Sequence, residues 1–433
     1  MTATPAQPVP VHRDVPRLTA HLFRQEAGRL VSMLTGIFGL DRLQLAEDVV
    51  QDAMVRALQV WPYHGVPDEP AAWLFQTARR LALDAIRRER TFRIKQPQIV
   101  TNVEQQLSTL DTSDPMFEAE VRDARLRLIF ACCHPALPEE AQVALALKTL
   151  GGFSTSEIAR AFLCAEPAMA KRLTRARQKI RDEAIPLEIP AGPELRERQE
   201  GVLKVLYLLF NEGYHATSGE RMIKEEICAE AIRLARMVVE HPAAVSPPAH
   251  ALLALMLFTE ARRQARIDDN GNLMRLSEQD RTQWNYGLIG EGLMQLNAAA
   301  RGEDLTEYHL QAAIAACHCT AREYEQTDWG RILRLYDQLV QLNESPVYAL
   351  NRAVAVGQVF GPAAGMEAIE SLINRHQLDS YHLLYAVMGD FEARLEHFQQ
   401  AADHWEEALR LTSLPTEQAH LRQRLRELGR DGA

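Results

Sequence analysis

The chain has 433 residues, of which 47% are hydrophobic and 24% charged, as in an ordinary globular protein that builds its core without disulfides and divides into two to four domains. No apolar run approaches the roughly 18 residues that a membrane-spanning helix needs, and six cysteines in this length make no disulfide framework. The net charge of −10 speaks against a nucleic-acid binder, but the charge is uneven: residues 1–190 hold 24 Lys and Arg against 23 Asp and Glu, and the remainder 24 against 35, so the two parts are expected to meet different partners.

Residues 1–16 carry Pro5, Pro8, Pro10 and Pro16 and no apolar core, which predicts a floppy leader rather than a signal peptide and places the chain in the cytoplasm. A first helical block follows over 17–91. From Leu45 to Trp61 one helix presents Ala46, Val49, Val50, Ala53, Ala57 and Val60 to a core. Asp48, Gln51, Asp52 and Gln59 lie on its other side with Arg56, and on spacing alone that side is a solvated polar face. The next helix, about 70–92, pairs an apolar stripe of Trp73, Leu74, Ala78, Leu81 and Ile86 with Arg79, Arg80, Arg87, Arg88 and Arg90. Cations interleaved with aromatics suit melted DNA, where bases stack while cations follow phosphates.

Residues 92–116 are rich in Gln, Thr, Ser and Asp, with Pro97 and Pro115, and read as a flexible linker. The second block, 117–184, contains the sharpest local signal. Ser154 is a natural N-cap, and Glu157 three residues on completes a capping box. Ile158, Ala159, Phe162 and Leu163 give that short helix one apolar face. A turn follows at Cys164-Ala165-Glu166, and Pro167 opens a new helix, where its missing N–H costs nothing. That helix, to Asp182, buries Met169, Leu173, Ala176 and Ile180 and carries Lys171, Arg172, Arg175, Arg177, Lys179 and Arg181. A capped helix, a tight turn and a basic helix make a helix-turn-helix. Lys171, Arg172 and Arg175 are placed for base or phosphate contact, and Arg177, Lys179 and Arg181 for phosphate.

Residues 185–193, with three prolines and a glycine, cannot be helix interior and mark the boundary to a third block, 194–433. There Val347–Gln358 pairs with Ala363–Arg375 across Gly361-Pro362, and Tyr381–Leu395 with Phe398–Leu411. The second pair has Ala386, Ala393, Ala401, Ala402 and Ala408 at helix contacts and Tyr385, Phe391, Phe398 and Trp405 as aromatics, similar to tetratricopeptide (TPR) packing. Strand signals are missing throughout, so the fold class is all-α. Cys132-Cys133-His134 and Cys317-His318-Cys319 lack the C-x₂-C spacing of a zinc loop and sit in apolar helical patterns, as buried structural cysteines do. His134, His309 and His382 read as structural or exposed. No cofactor or metal is expected, and no catalytic motif is present.

The string Ala46-Glu47-Asp48-Val49-Val50-Gln51-Asp52-Ala53 resembles the region 2 helix of RNA polymerase sigma factors. The stretch Trp73-Leu74-Phe75-Gln76-Thr77-Ala78-Arg79-Arg80-Leu81-Ala82-Leu83-Asp84-Ala85-Ile86-Arg87-Arg88 is similar to the helix that follows it in that family. The helix-turn-helix falls where the family's region 4 belongs. Phe210-Asn211-Glu212-Gly213-Tyr214, Gln279-Asp280-Arg281, Thr327-Asp328-Trp329 and Ser345-Pro346-Val347-Tyr348-Ala349-Leu350-Asn351-Arg352 look like the extension of a subgroup of extracytoplasmic-function (ECF) sigma factors with a TPR-like C-terminal domain. The resemblance implies a non-enzymatic factor that gives core RNA polymerase promoter specificity. It implies that Asp48, Gln51 and Asp52 face the clamp helices of the β′ subunit and that the β flap is a further partner. It also implies that Trp73, Arg79, Arg80, Arg87 and Arg88 serve the −10 element, and Lys171, Arg172, Arg175, Arg177 and Lys179 the −35 element. Arg80 stands where the family often has Asn, which puts one strand contact in doubt, and Met54 where many members have Phe.

For the extension three readings stay open. It is a fused regulator of the sigma domains with a protein or peptide partner; or the dimerisation module of a stand-alone helix-turn-helix repressor; or a small-molecule sensor whose pocket is lined by Asn211, Glu212, Tyr214, Asp280, Arg281, Asp328, Asn351 and Arg352. Those polar residues read equally as helix caps and interhelix hydrogen bonds.

Overall fold

The computed structural model describes residues 15–92, 115–162, 164–214, 221–266, 268, 274–302, 304–373 and 375–429. The expected linker, 92–116, lies almost wholly outside them, as does the leader up to residue 14. Among the described residues the chain is all-α, with eighteen α-helices and no strand. It divides into two compact units, residues 1–212 and 213–433.

In the first unit α1 (Val15–Phe38), α2 (Leu43–His64) and α3 (Pro70–Phe92) pack on one another. Leu34, Leu43, Leu74, Phe75 and Ile86 are fully buried among them, and the period of these positions is why the segments fold as amphipathic helices. The second block supplies α4 (Pro115–Cys132), α5 (Glu139–Thr149), α6 (Thr155–Ala161) and α7 (Glu166–Asp182). This block packs against the first: α1 lies on α4 and α5, and a Cβ at Gly28 would stand 2.0 Å from the carbonyl oxygen of Leu150. Only glycine lets the two backbones approach that closely.

The proline-rich segment separates α7 from α8 (Pro193–Tyr214), as its composition requires. Helix α8, expected to open the third block, packs back onto α4 instead. Arg198 is buried and donates from Nη2 to the Phe130 carbonyl at 2.9 Å, and Lys204 pairs with Glu139.

The second unit is a succession of helices packed on their neighbours in sequence: α9 (Arg221–Glu240), α10 (Pro247–Ala261), α11 (Tyr286–Ala299), α12 (Glu307–Thr320), α13 (Trp329–Leu342), α14 (Pro346–Phe360), α15 (Pro362–Glu370), α16 (His382–Arg394), α17 (Phe398–Leu411) and α18 (Pro415–Glu427). The turn between α14 and α15 is made by Gly361 with φ 96°, a left-handed conformation that glycine adopts without a Cβ clash. Helix α15 ends at Glu370, short of the expected Arg375, where Ser371 donates from its hydroxyl to the Ala368 carbonyl. Aromatic side chains fill seats made by small residues. Phe391 lies where a Cβ on Gly357 or Gly365 would be, and Trp405 does the same at Gly389. Phe398 is the exception, since it is more than half exposed and closes no helix contact.

The paired cysteines are structural by environment. Cys132, Cys133, Cys317 and Cys319 are buried. Burial pushes the Cys132 thiol up to about 12 and the thiols of Cys133, Cys317 and Cys319 upward, which keeps them protonated and inert. His134 accepts from the Ala136 amide through Nδ1 at 3.1 Å, and His309 caps the start of α12 against Thr306.

Candidate functional site

Three faces of the first unit carry the residues singled out from the sequence. On α2, Asp48, Gln51 and Asp52 are exposed on the side opposite the buried Ala46, Val49, Val50, Ala53 and Ala57. Asp48 accepts from Gln44 Nε2 at 2.8 Å, which fixes its carboxylate on the surface. Between these polar residues Val55 and Leu58 are 46% and 54% exposed. An exposed helix face that mixes carboxylates with branched apolar side chains offers both steering and burial to a protein partner. Sequence reasoning missed Val55 and Leu58. Their place between Asp52 and Gln59, on the polar arc of the helix, was the available signal.

On α3, Trp73 is half-buried and edge-on to the buried Trp61, with ring centroids 5.5 Å apart, and Phe23 meets Trp61 in a tilted contact at 5.5 Å. Arg80 and Arg87 are exposed, while Arg79 is half-buried and donates to Gln76 Oε1 at 3.3 Å. The side chain of Arg88 lies outside the described residues. Where α2 ends, Tyr63 is 86% exposed. Exposed aromatics and arginines are the groups on which single-stranded bases stack and to which their phosphates pair. Tyr63 was not singled out, because an aromatic at a helix end reads as core until its exposure is known.

The helix-turn-helix forms as its residues dictate. Ser154 Oγ accepts from the Glu157 amide at 3.2 Å and the Glu157 carboxylate from the Ser154 amide at 2.7 Å, which completes the capping box of α6. Ala165 caps α7, and Pro167 sits second in it rather than first. Met169, Leu173, Ala176 and Ile180 are buried, and Lys171, Arg175 and Lys179 are exposed. Lys171, Arg175 and Lys179 line a groove of about 680 Å³ between α7 and the start of α5, together with Pro138 and Ala176. Arg172 is half-buried at its edge and pairs with Glu140 at 2.6 Å, and Lys179 pairs with the exposed Glu183 at 2.6 Å. These surface pairs are weak and exchange readily for phosphate.

Arg177 does not stand on that face, which corrects its assignment to a phosphate contact. It is 8% exposed and turned inward, and its Nη2 donates to Glu47 Oε2 of α2 at 2.5 Å. The position follows Leu173 by one helical turn, so its side chain falls on the buried stripe. Burial raises the Glu47 pKa above the usual carboxylate range, against the pull of Arg177 and Lys148. Glu47 Oε1 and Arg177 Nε have no hydrogen-bond partner, so the pair is only half satisfied.

The polar residues proposed for a pocket in the extension act mostly as caps and bridges. Asp280 and Asp328 cap helices through the amides of Thr282 and Arg331, and Arg352 pairs with Asp337 at 2.6 Å. Arg281 donates to the carbonyls of His318 and Ala321. Among the described residues no group of His, Cys, Asp or Glu is arranged to hold a metal ion, and no helix is long and apolar enough to cross a membrane.

Comparison with known proteins assigns the regions that carry these faces to families. The family model for sigma-70 region 2 matches residues 22–92, and that for sigma-70 region 4 matches residues 127–180. A family of unknown function, DUF6596, matches residues 198–300. A protein of Rhizobium meliloti (strain 1021), named "Uncharacterized protein R00370", is 39% identical over 393 residues, covering 90% of this chain and 92% of its own length.

Proposed function

We propose, from the premise that this chain belongs to the sigma-70 family as a factor with regions 2 and 4 followed by a helical extension, that it acts as an ECF-type alternative sigma factor. The observation that carries this reading is the coexistence, in one compact unit, of the exposed Asp48–Leu58 face on α2 and the exposed cations of a capped helix-turn-helix. The first face binds the clamp helices of core RNA polymerase. Asp48 and Asp52 steer the encounter with a basic surface, and Val55 and Leu58 supply the apolar burial that holds it. Trp73, Arg79, Arg80, Arg87 and Arg88, with Tyr63, serve the melted −10 strand. Lys171, Arg172 and Arg175 read the −35 duplex, and Lys179 contacts its backbone. The chemistry is recognition and strand opening rather than catalysis, carried out in the cytoplasm where polymerase and chromosome meet.

Region 2 and region 4 are docked here through Gly28 and the Glu47–Arg177 pair. A −10 and a −35 element lie several tens of Å apart along B-DNA, at roughly 3.4 Å per base pair. The reading therefore includes separation of α7 from α2 when polymerase and promoter bind, and the extension regulates the factor. Co-purification of the full chain with core polymerase tests the first step. Asp48→Ala with Asp52→Ala is expected to slow association about tenfold and flatten its salt dependence, and Leu58→Asp to abolish retention. Equal retention of all three chains would remove the α2 face from the reading.

A further inference from the structure

Helix α11 is apolar on both of its sides. Ile289, Gly292 and Ala299 are buried, and a Cβ on Gly292 would stand 2.8 Å from the Phe258 ring, so this side packs on α10. The other side is Tyr286, Gly287, Gly290, Leu293, Met294 and Asn297, all of them exposed. Their spacing puts them in one stripe along the helix. Tyr286, Leu293 and Met294 are 61%, 41% and 66% exposed. The Tyr286 hydroxyl donates to the Arg281 carbonyl at 3.2 Å, which holds the ring at the head of the stripe. No residue of the stripe is charged. The one charged side chain of α11, Glu291, is turned to α9, where Arg236 donates to both its oxygens at 2.8 Å. The stripe ends before the exposed Arg301, past the last turn.

Two features set this face apart. The second unit is acidic, with 21 Lys and Arg against 31 Asp and Glu over residues 213–433, so a helix whose solvent side is uncharged runs against its composition. Contiguous apolar side chains left in water mark an interaction surface. Gly290 points the same way. Glycine inside a helix is less stable than alanine, and a Cβ at Gly290 would meet nothing within 4 Å, so no described neighbour requires it. Gly292, by contrast, makes room for Phe258. A glycine on the outer side of a helix lets a second helix approach closely, because interaxial distance is set by the side chains at the contact.

We infer that this face is a dimer interface, on which a second copy of the chain seats its own α11, antiparallel about a two-fold axis beside Gly290. The stripe is complementary to itself. Tyr286 and Met294 lie four residues to either side of Gly290, roughly 6 Å along the helix. An antiparallel two-fold brings Tyr286 of each copy against Leu293 and Met294 of the other, a ring on a thioether and a branched side chain, while the glycines meet at the crossing. A two-fold interface uses the same patch on both copies, so a charge on it faces its like. An uncharged stripe is what an acidic chain needs to meet its own copy, whereas a basic partner would be met by carboxylates. The patch is small. Helix α11 is about 21 Å long, and two such faces bury less than the roughly 1,200 Å² of a standard interface, so the dimer is weak and reversible. The inference does not depend on the polymerase reading.

The test is sedimentation equilibrium of the full chain from about 1 to 200 µM, the range in which so small an interface associates. A reversible monomer–dimer equilibrium is expected. Gly290→Gln and Leu293→Glu are each expected to weaken it tenfold or more. At the lowest concentration Gly290→Gln should melt no lower than the native chain, since its side chain enters open space and favours the helix. That separates loss of the interface from loss of the fold. Mild oxidation reads the orientation. Gly290→Cys should cross-link the two copies through residue 290, whereas Asn297→Cys, roughly 10 Å further along the helix, should not. Peptide mapping distinguishes this link from any through Cys164, the native cysteine that is not buried. A chain that stays monomeric throughout would overturn the inference and leave the face to a different protein. A dimer that Gly290→Gln and Leu293→Glu leave intact, or cross-linking by Asn297→Cys in place of Gly290→Cys, would overturn it as well.

Discussion

The Glu47–Arg177 pair offers the sharpest perturbation. Both side chains are less than a tenth exposed, the contact is 2.5 Å, and each partner keeps one buried polar atom without a hydrogen bond. Removing either partner leaves an isolated charge between α2 and α7, and such a change costs about 3–5 kcal/mol. Replacing both with apolar residues of similar volume, Glu47→Leu with Arg177→Met, removes the desolvation penalty along with the attraction and is expected to be neutral or stabilising by about 1–4 kcal/mol. The pH dependence has a definite sign. The folded state holds the Glu47 pKa above its ordinary 4.5. The folded chain therefore binds a proton that the unfolded chain releases, and this contribution to stability is complete below the ordinary pKa and is lost as pH rises through the raised one. Hydrogen exchange of α2 and α7 peptides in the full chain, across a urea series, reads the local stability. Glu47→Ala and Arg177→Ala should each lower protection by roughly two to four powers of ten, the double apolar chain should restore it, and raising the pH through the Glu47 titration should lower the native protection. Single variants within about 0.5 kcal/mol of native, with additive effects, would refute the idea that this pair docks the two regions.

Other outcomes follow from the same geometry. Lys171→Ala and Arg175→Ala should each reduce the salt slope of promoter binding by the holoenzyme by about one. Gly28→Ala must push a Cβ into the Leu150 carbonyl, so limited proteolysis of that chain should cut between the two regions faster than in the native one. Ser154→Ala removes one side of the capping box and should cost about 1 kcal/mol, read as lost exchange protection in α6. Trp405→Ala empties the seat at Gly389 in a fully buried site and should cost the second unit about 3–5 kcal/mol in a thermal melt.

Local chemistry was legible in the sequence and tertiary chemistry was not. Ser154, Glu157 and Pro167 announce the helix-turn-helix because capping and proline placement act within a few residues. The buried positions of α7 follow from its period. Arg177 was misread because its partner is 130 residues away, although one turn after Leu173 it already lay at the edge of the apolar stripe. Val55 and Leu58 were marked only by their place on the polar arc of α2, since an apolar residue bound for a partner is chemically the same as one bound for the core. The end of the first unit was hidden for a similar reason. A proline-rich segment stops a helix but does not say which side the next helix packs on, and Arg198 and Lys204 send α8 back to α4.

Transcription in vitro tests the central claim most directly. The full chain is mixed with core RNA polymerase on genomic fragments, and the start sites are mapped. The account predicts initiation at a defined set of positions, each preceded by a shared −10 and −35 pair, and none by core polymerase alone. A chain that binds duplex DNA without polymerase, and neither retains core polymerase nor starts transcripts, would contradict the account and make the protein a stand-alone helix-turn-helix regulator.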